Sequence, residues 1–334
     1  MPPVLLNVQA SDALQRGVKN TFGHTWKRRY ELNDKRVGPL CESVPSDKYK
    51  EMYVYPETAP YVRRRPYGQP ITVGSFRFRS FDVENLAWGI GVTYDESDAL
   101  YDQTNLLVQQ ARAAGVSFGG LKERVAFQIL TGATDANLLP SLPNAPDGAA
   151  MFSATDGASA NRFGVSGGNL LPGSGIGSAA ALRSDLFNAL ELFHLFQDPE
   201  GQPALDAGII DQGVHIYFNA NNLEIFSEAF IQSRTALASA GAPSNAAVTN
   251  VFGDAGYKII PWPTQRITDD DWYVSLDGAD PKPLIEQIVA PVLEGPQLDS
   301  NSDLGRISRQ FGWYWATYRG YGVNLPLFTV KINN

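Results

Sequence analysis

At 334 residues with one cysteine, Cys41, the chain can bury a large core but has no internal disulfide and no cysteine-built metal cage. Its formal net charge of −8 is unevenly spread: residues 1–79 hold 14 Lys/Arg against 7 Asp/Glu, and residues 80–334 hold 13 against 28. An acidic body excludes a protein that coats nucleic acid with its whole surface, and no run approaches the ~18 consecutive apolar residues of a membrane span.

The lone cysteine points to a reducing compartment. The opening Pro2-Pro3 run turns polar at Asn7, which is no secretion signal. Residues 1–45 have mixed polarity and few periodic apolar positions, and include the basic run Lys27, Arg28, Arg29. They read as an arm with one short helix around residues 10–20, or as a solvated tail. Residues 46–97 read as an extended hairpin. Pro56, Pro60, Pro66 and Pro70 forbid a long helix, and Phe76-Arg77-Phe78-Arg79 alternates as a half-buried strand. A turn is expected at Asp82–Asn85 and a returning strand over Leu86–Tyr94. The outgoing half is basic (Arg63, Arg64, Arg65, Arg77, Arg79) and the following stretch acidic. An isolated hairpin is marginal in water, so this one has to lie on something.

Residues 98–132 carry two helical stripes, Leu100–Ala114 and Leu121–Ile129, with Ser97 as a start, Gly132 as a stop and a break at Gly115, Gly119 and Gly120. Residues 133–177 form a Gly/Ser/Asn/Pro-rich loop, long enough to be functional or interfacial. A helix follows over 178–197, capped by Ser178, with Leu182, Leu186, Leu190 and Phe193 inward. Then come a strand at Val214–Asn219, a helix from Asn222 to about Ala238, and strands at Tyr257–Trp262 and Trp272–Leu276. A turn at Asp277–Pro281 leads to β structure over Leu284–Leu293, Phe311–Tyr318 and Leu325–Ile332. Helices and strands mix without βα alternation, so the class is α+β.

No motif carries chemistry in its required context. Gly164-Val165-Ser166-Gly167-Gly168 fits the nucleophile elbow, but that elbow needs a strand before it and a helix straight after. Gly173–Gly177 lacks the lysine of a phosphate loop. Asp269-Asp270-Asp271 lacks calcium-loop spacing and reads as a solvated turn. His24, His194 and His215 lie on separate segments, and Trp313, Tyr314, Trp315 and Tyr318 read as core or interface. No catalytic residue, cofactor or metal is assigned. The charge division remains: copies that each carry a basic leader and an acidic body can bind one another in series.

The order of parts resembles the major capsid proteins of tailed bacteriophages, and within them the major head subunit of Mu-like phages. Three stretches carry the resemblance. Val44-Pro45-Ser46, Glu51, Tyr53 and Pro60-Tyr61-Val62-Arg63 resemble the entry into that family's extended loop. Asp147 to Ser153, Asn161-Arg162 and Gly168-Asn169-Leu170 resemble its mid-chain loop. Trp272-Tyr273-Val274 with Asp280 to Ile285 resembles its return toward the C-terminal strands.

The resemblance implies a shell subunit of the tailed-phage capsid fold. Its parts would be an N-terminal arm (1–45), an extended β loop (46–97), a peripheral domain with the spine helix (98–204), an axial domain (205–280) and a return to the peripheral domain (281–334). It implies a place in the virion, assembly in the host cytoplasm, and hexamers and pentamers of this chain as partners. Portal, scaffold or decoration proteins could join them, with packaged DNA contacted weakly. Lys27, Arg28, Arg29, Arg63, Arg64, Arg65, Arg77 and Arg79 become the subunit-interface candidates. Some relatives weld subunits through a lysine in the extended loop; residues 51–97 have none. Two alternatives stand beside it: an encapsulin-like shell, and a serine hydrolase using Ser166.

Overall fold

Residues 8–37 contain no proline, and Val18, Phe22, Trp26, Asn33 and Val37 fall along one side of a helix. The computed structural model describes residues 8–58, 67, 77–95, 106–156, 161–231, 234–236, 247–249, 257–294 and 310–334. In it helix α1 runs unbroken over Val8–Val37. This corrects the arm with one short helix. Val18, Phe22 and Val37 are buried, and the Phe22 ring stacks on Trp315 with centroids 3.8 Å apart. Tertiary packing thus sustains a helix whose two internal glycines, Gly17 and Gly23, weaken it by ~1 kcal/mol each.

α1 lies along α2 (Leu106–Gly119) and touches α3 (Leu121–Thr131). The helix breaks at Gly120, as the glycines predict, and α3 ends at Gly132 in the left-handed conformation (φ 72°). Gly115 and Gly119 have a further reason. A Cβ on Gly119 would stand 2.8 Å from the Trp26 carbonyl oxygen, and one on Gly115 3.0 Å from that of Phe22. These glycines let two helix backbones touch. The expected cap Ser97 and the helical stretch 98–105 lie outside the described residues.

Two five-stranded sheets form the rest. The first has the order β1 (Cys41–Pro45), β10 (Leu284–Glu294), β11 (Gln310–Val323), β3 (Arg77–Asp95) and β2 (Lys50–Thr58). β3 is one 19-residue strand, which corrects the turn expected at Asp82–Asn85. Val83 and Asn85 are buried while Asp82 and Glu84 are exposed, so the period of two runs straight through. Its first half pairs with β2, from Glu84↔Lys50 to Arg77↔Thr58. Its second half pairs with β11, from Asn85↔Gly320 to Asp95↔Gln310. The hairpin is therefore β2 with the first half of β3.

The second sheet has the order β4 (Leu170–Pro172), β12 (Thr329–Asn333), β9 (Trp272–Leu276), β5 (Val214–Asn219) and β8 (Ile259–Thr264). Every residue of β5 and β9 is buried. Over them packs α4 (Ala179–Leu195), through Leu182, Leu186, Ala189 and Phe193. The Ser178 hydroxyl accepts from the Ala181 amide at 3.2 Å, as the predicted cap should. The helix expected over 222–238 is shorter: Leu223–Phe226 widens into a π turn at Ser227–Ile231. Phe226, Ala229 and Phe230 are drawn into the core there. Beyond it, β6 (Arg234–Ala236) pairs with β7 (Ala247–Thr249), setting β-branched Thr235 opposite Val248.

All four edge strands of the two five-stranded sheets carry proline: Pro45 in β1, Pro56 in β2, Pro172 in β4, and Pro261 and Pro263 in β8. Four backbone bonds fix which residues face inward. Ser46 N donates to Ile288 O, Asn85 N to Tyr49 O, Gly173 N to Asn333 O and Val214 N to Lys258 O. Counting by twos from each, every one of these prolines turns its nitrogen to the outer edge.

Candidate functional site: the hairpin, the first helix and what anchors them

One buried carboxylate ties α1 and the first sheet together. Glu286 on β10 accepts from Arg319 (2.6 Å) and Tyr321 (2.9 Å) on β11, from Ser43 on β1 (2.7 Å) and from Tyr30 on α1 (3.3 Å). Lys122 on α3 stands 3.5 Å from it and also holds Asp34 of α1 at 2.6 Å. Burial would raise the Glu286 carboxyl, but Arg319, Lys122 and the Ser43 hydrogen bond outweigh it and hold it below the usual carboxylate range. The sequence signal missed here is a glutamate and an arginine at alternating, core-facing positions of two apolar strands.

The anchored hairpin presents two unlike faces. On one, Tyr53 stacks on Phe81 at 5.5 Å. On the other, Met52, Val54 and Phe78 are 63%, 54% and 62% exposed. The register sets these apolar side chains among exposed Lys50, Ser80, Asp82 and Glu84 on the same face, so the hairpin offers apolar contacts within a polar frame.

Of the eight predicted interface cations, Lys27 and Arg28 stand exposed on α1. Arg29 is turned inward, 3.6 Å from Glu123, which Arg36 also holds at 3.2 Å. Arg79 is half-buried on β3; the Arg77 side chain and all of Arg63, Arg64 and Arg65 lie outside the described residues. The basic leader is therefore no single patch. Its described part divides between helix and hairpin, and some of its charge is spent inside the chain.

The other motifs have local occupations. Ser166 is exposed after a short 3₁₀ turn (Arg162–Gly164), with a strand instead of a helix following, so the elbow geometry is absent. The Gly173–Gly177 loop is filled from within: Asp185 accepts from the Ser174 amide at 2.8 Å and its hydroxyl at 2.6 Å. Asp271 is held by Lys331 at 2.6 Å and by the Asn334 amide at 3.0 Å. His194 is exposed, whereas His215 is buried, accepting from Trp262 Nε1 at 2.8 Å and meeting Asp277 at 2.7 Å. Because the indole can only donate, Nε2 carries the imidazole proton and donates it to Asp277. The mid-chain loop closes around Arg162, fully buried, whose guanidinium donates to Asp147 at 2.7 and 3.0 Å and to the carbonyls of Ala150 and Met151.

No family model matches the chain, and no curated protein does. Solved structures do. The capsid of the cyanophage P-SCSP1u superposes with a TM-score of 0.56 at 10% identity, over 88% of this chain and 85% of that one. The capsid of an empty GTA particle gives 0.54 at 10% identity, over 89% of each. The mature capsid of bacteriophage PhiM1 gives 0.51 at 11%, over 88% and 84%. At such identities the likeness is one of architecture, and it spans almost the whole molecule: the chain has the α+β fold of phage capsid proteins.

Proposed function

We propose that the chain is the major capsid subunit of a tailed phage, self-assembling as hexamers and pentamers into the shell around a double-stranded DNA genome. The observation that carries this beyond the fold is the hairpin. A two-stranded ribbon with Met52 and Val54 more than half exposed is poorly stable alone and gains by lying on another copy. The sequence between its two strands adds Arg63, Arg64 and Arg65, and the acidic residues that dominate positions 80–334 complement them. In this reading residues 1–45 are the arm, 46–97 the extended loop, 98–204 and 281–334 the peripheral domain and 205–280 the axial domain. The three quoted stretches support a Mu-like head subunit.

Electron microscopy of the purified protein tests the proposal. Closed shells or capsomers are expected, and monomers under all conditions would refute it. Two variants locate the contact. R63E/R64E/R65E and M52S/V54S should each fold and yet assemble poorly, since many weak repeated contacts are lost together. Normal shells from both would remove the hairpin from the interface. The lack of lysine in residues 51–97 predicts unwelded subunits. Denaturing electrophoresis of particles should give one band near 36.4 kDa, and a heat-stable ladder would contradict this.

A further inference from the structure

We propose that the outer stripe of α1 is a docking strip for the phosphate backbone of duplex DNA. This rests on the capsid reading and names the residues that would face the packaged genome. The stripe follows from helix geometry. Val18, Phe22 and Val37 bury one side, so Arg16, Asn20, His24, Lys27, Arg28 and Lys35 stand exposed on the other. From Arg16 to Lys35 the helix rises about 28 Å, several phosphates along a duplex.

The charges sort themselves by contact. Lys19 is held by Glu294 at 3.2 Å, and Arg29 and Arg36 by Glu123. Arg16, Lys27, Arg28 and Lys35 have no ion pair among the described residues. The acids with described side chains are Glu31, exposed, and Asp34, held by Lys122. Four cations thus remain for an outside partner.

A polyanion suits this strip better than a protein does. Protein interfaces need an apolar centre; among the described side chains of α1, the only large apolar one standing out is Leu32, at 53%. The hairpin supplies such a centre and the helix does not. Phosphates ask only for cations at intervals, and displacing their counterions drives the contact. The acidic body repels the same duplex, so binding stays confined to one strip per subunit, and the duplex can slide.

Anisotropy titration of a labelled DNA duplex with the full-length subunit is the test. Four phosphate contacts give a log–log salt slope of about −3.6, a loss of about 150-fold between about 50 and 200 mM salt. R16Q/K27Q/R28Q/K35Q should abolish binding, and Arg266→Gln, an exposed cation elsewhere, should leave it unchanged. No binding by the native chain at low salt, or binding untouched by the quadruple substitution, overturns the proposal. So does a variant that keeps DNA binding but loses shells, which would assign the stripe to a second copy. Shells absent from the native protein overturn the capsid reading instead, while the titration still decides the strip.

Discussion

Glu286 shows how much one residue can hold. Side chains from α1, β1, α3 and β11 converge on it, so replacing its charge leaves Arg319 buried without a counter-ion and Lys122 with Asp34 alone. Glu286→Gln should cost about 3–5 kcal/mol, read as a shift of the denaturant midpoint. His215 provides a pH signature. Burial pushes its imidazole below the ordinary value, and the Asp277 bond pulls the other way without prevailing. The folded chain therefore binds a proton less readily than the unfolded one. Stability is complete above about pH 6.5 and declines as pH falls through that value toward the lower folded one. Tm should drop between about pH 7 and 5, and His215→Gln should flatten the drop. A profile unchanged by the substitution would remove His215 from this role. At this scale the sequence was legible where residues form a signature. Asp147, Arg162 and Asn169, quoted for the mid-chain loop, meet in one buried clasp, with Arg162 donating to both the Asp147 carboxylate and the Asn169 side-chain oxygen. Glu286 was not legible, because its partners lie up to 256 residues away in sequence.

Among elements, α4, β5 and β9 could be read because local rules sufficed: a serine cap with a 3.6-residue stripe, or a short apolar run between turns. α1 escaped because its buried positions are sparse and its glycines and charges resemble a loop; α2 supplies what the local sequence lacks. β3 escaped because Asp82, Glu84 and Asn85 resemble a turn, although Asp82 faces outward to pair with Lys50 at 2.8 Å. The helix pair gives a contrast within one substitution type. Gly23→Ala meets nothing within 4 Å and should stabilise by ~1 kcal/mol. Gly119→Ala drives its methyl against the Trp26 carbonyl oxygen and Arg29, and should destabilise by ~1–3 kcal/mol. Thermal melts of the two variants should move in opposite directions.

For the molecule as a whole, the charge division that opens the sequence is real but not simple. Helix α1 keeps part of its basic charge for Glu123 and Glu294 and shows the remainder outward, while the hairpin shows apolar side chains. Recognition then runs through faces and charges. The outward prolines of β1, β2, β4 and β8 explain why it must. A rim that lacks N–H donors at those positions is a poor template for a further strand, most of all at β8, where Pro261 and Pro263 both face out. In the proposed shell each copy would be crowded against many others, the condition under which exposed edges seed fibrils. P261V/P263V restores two donors to the rim of β8 and should leave the fold intact. It should also turn concentrated solutions from clear to fibrillar, detectable by amyloid-dye fluorescence, where the native chain stays dark. Order in a shell would then depend on silence at the strand edges as much as on attraction at the faces.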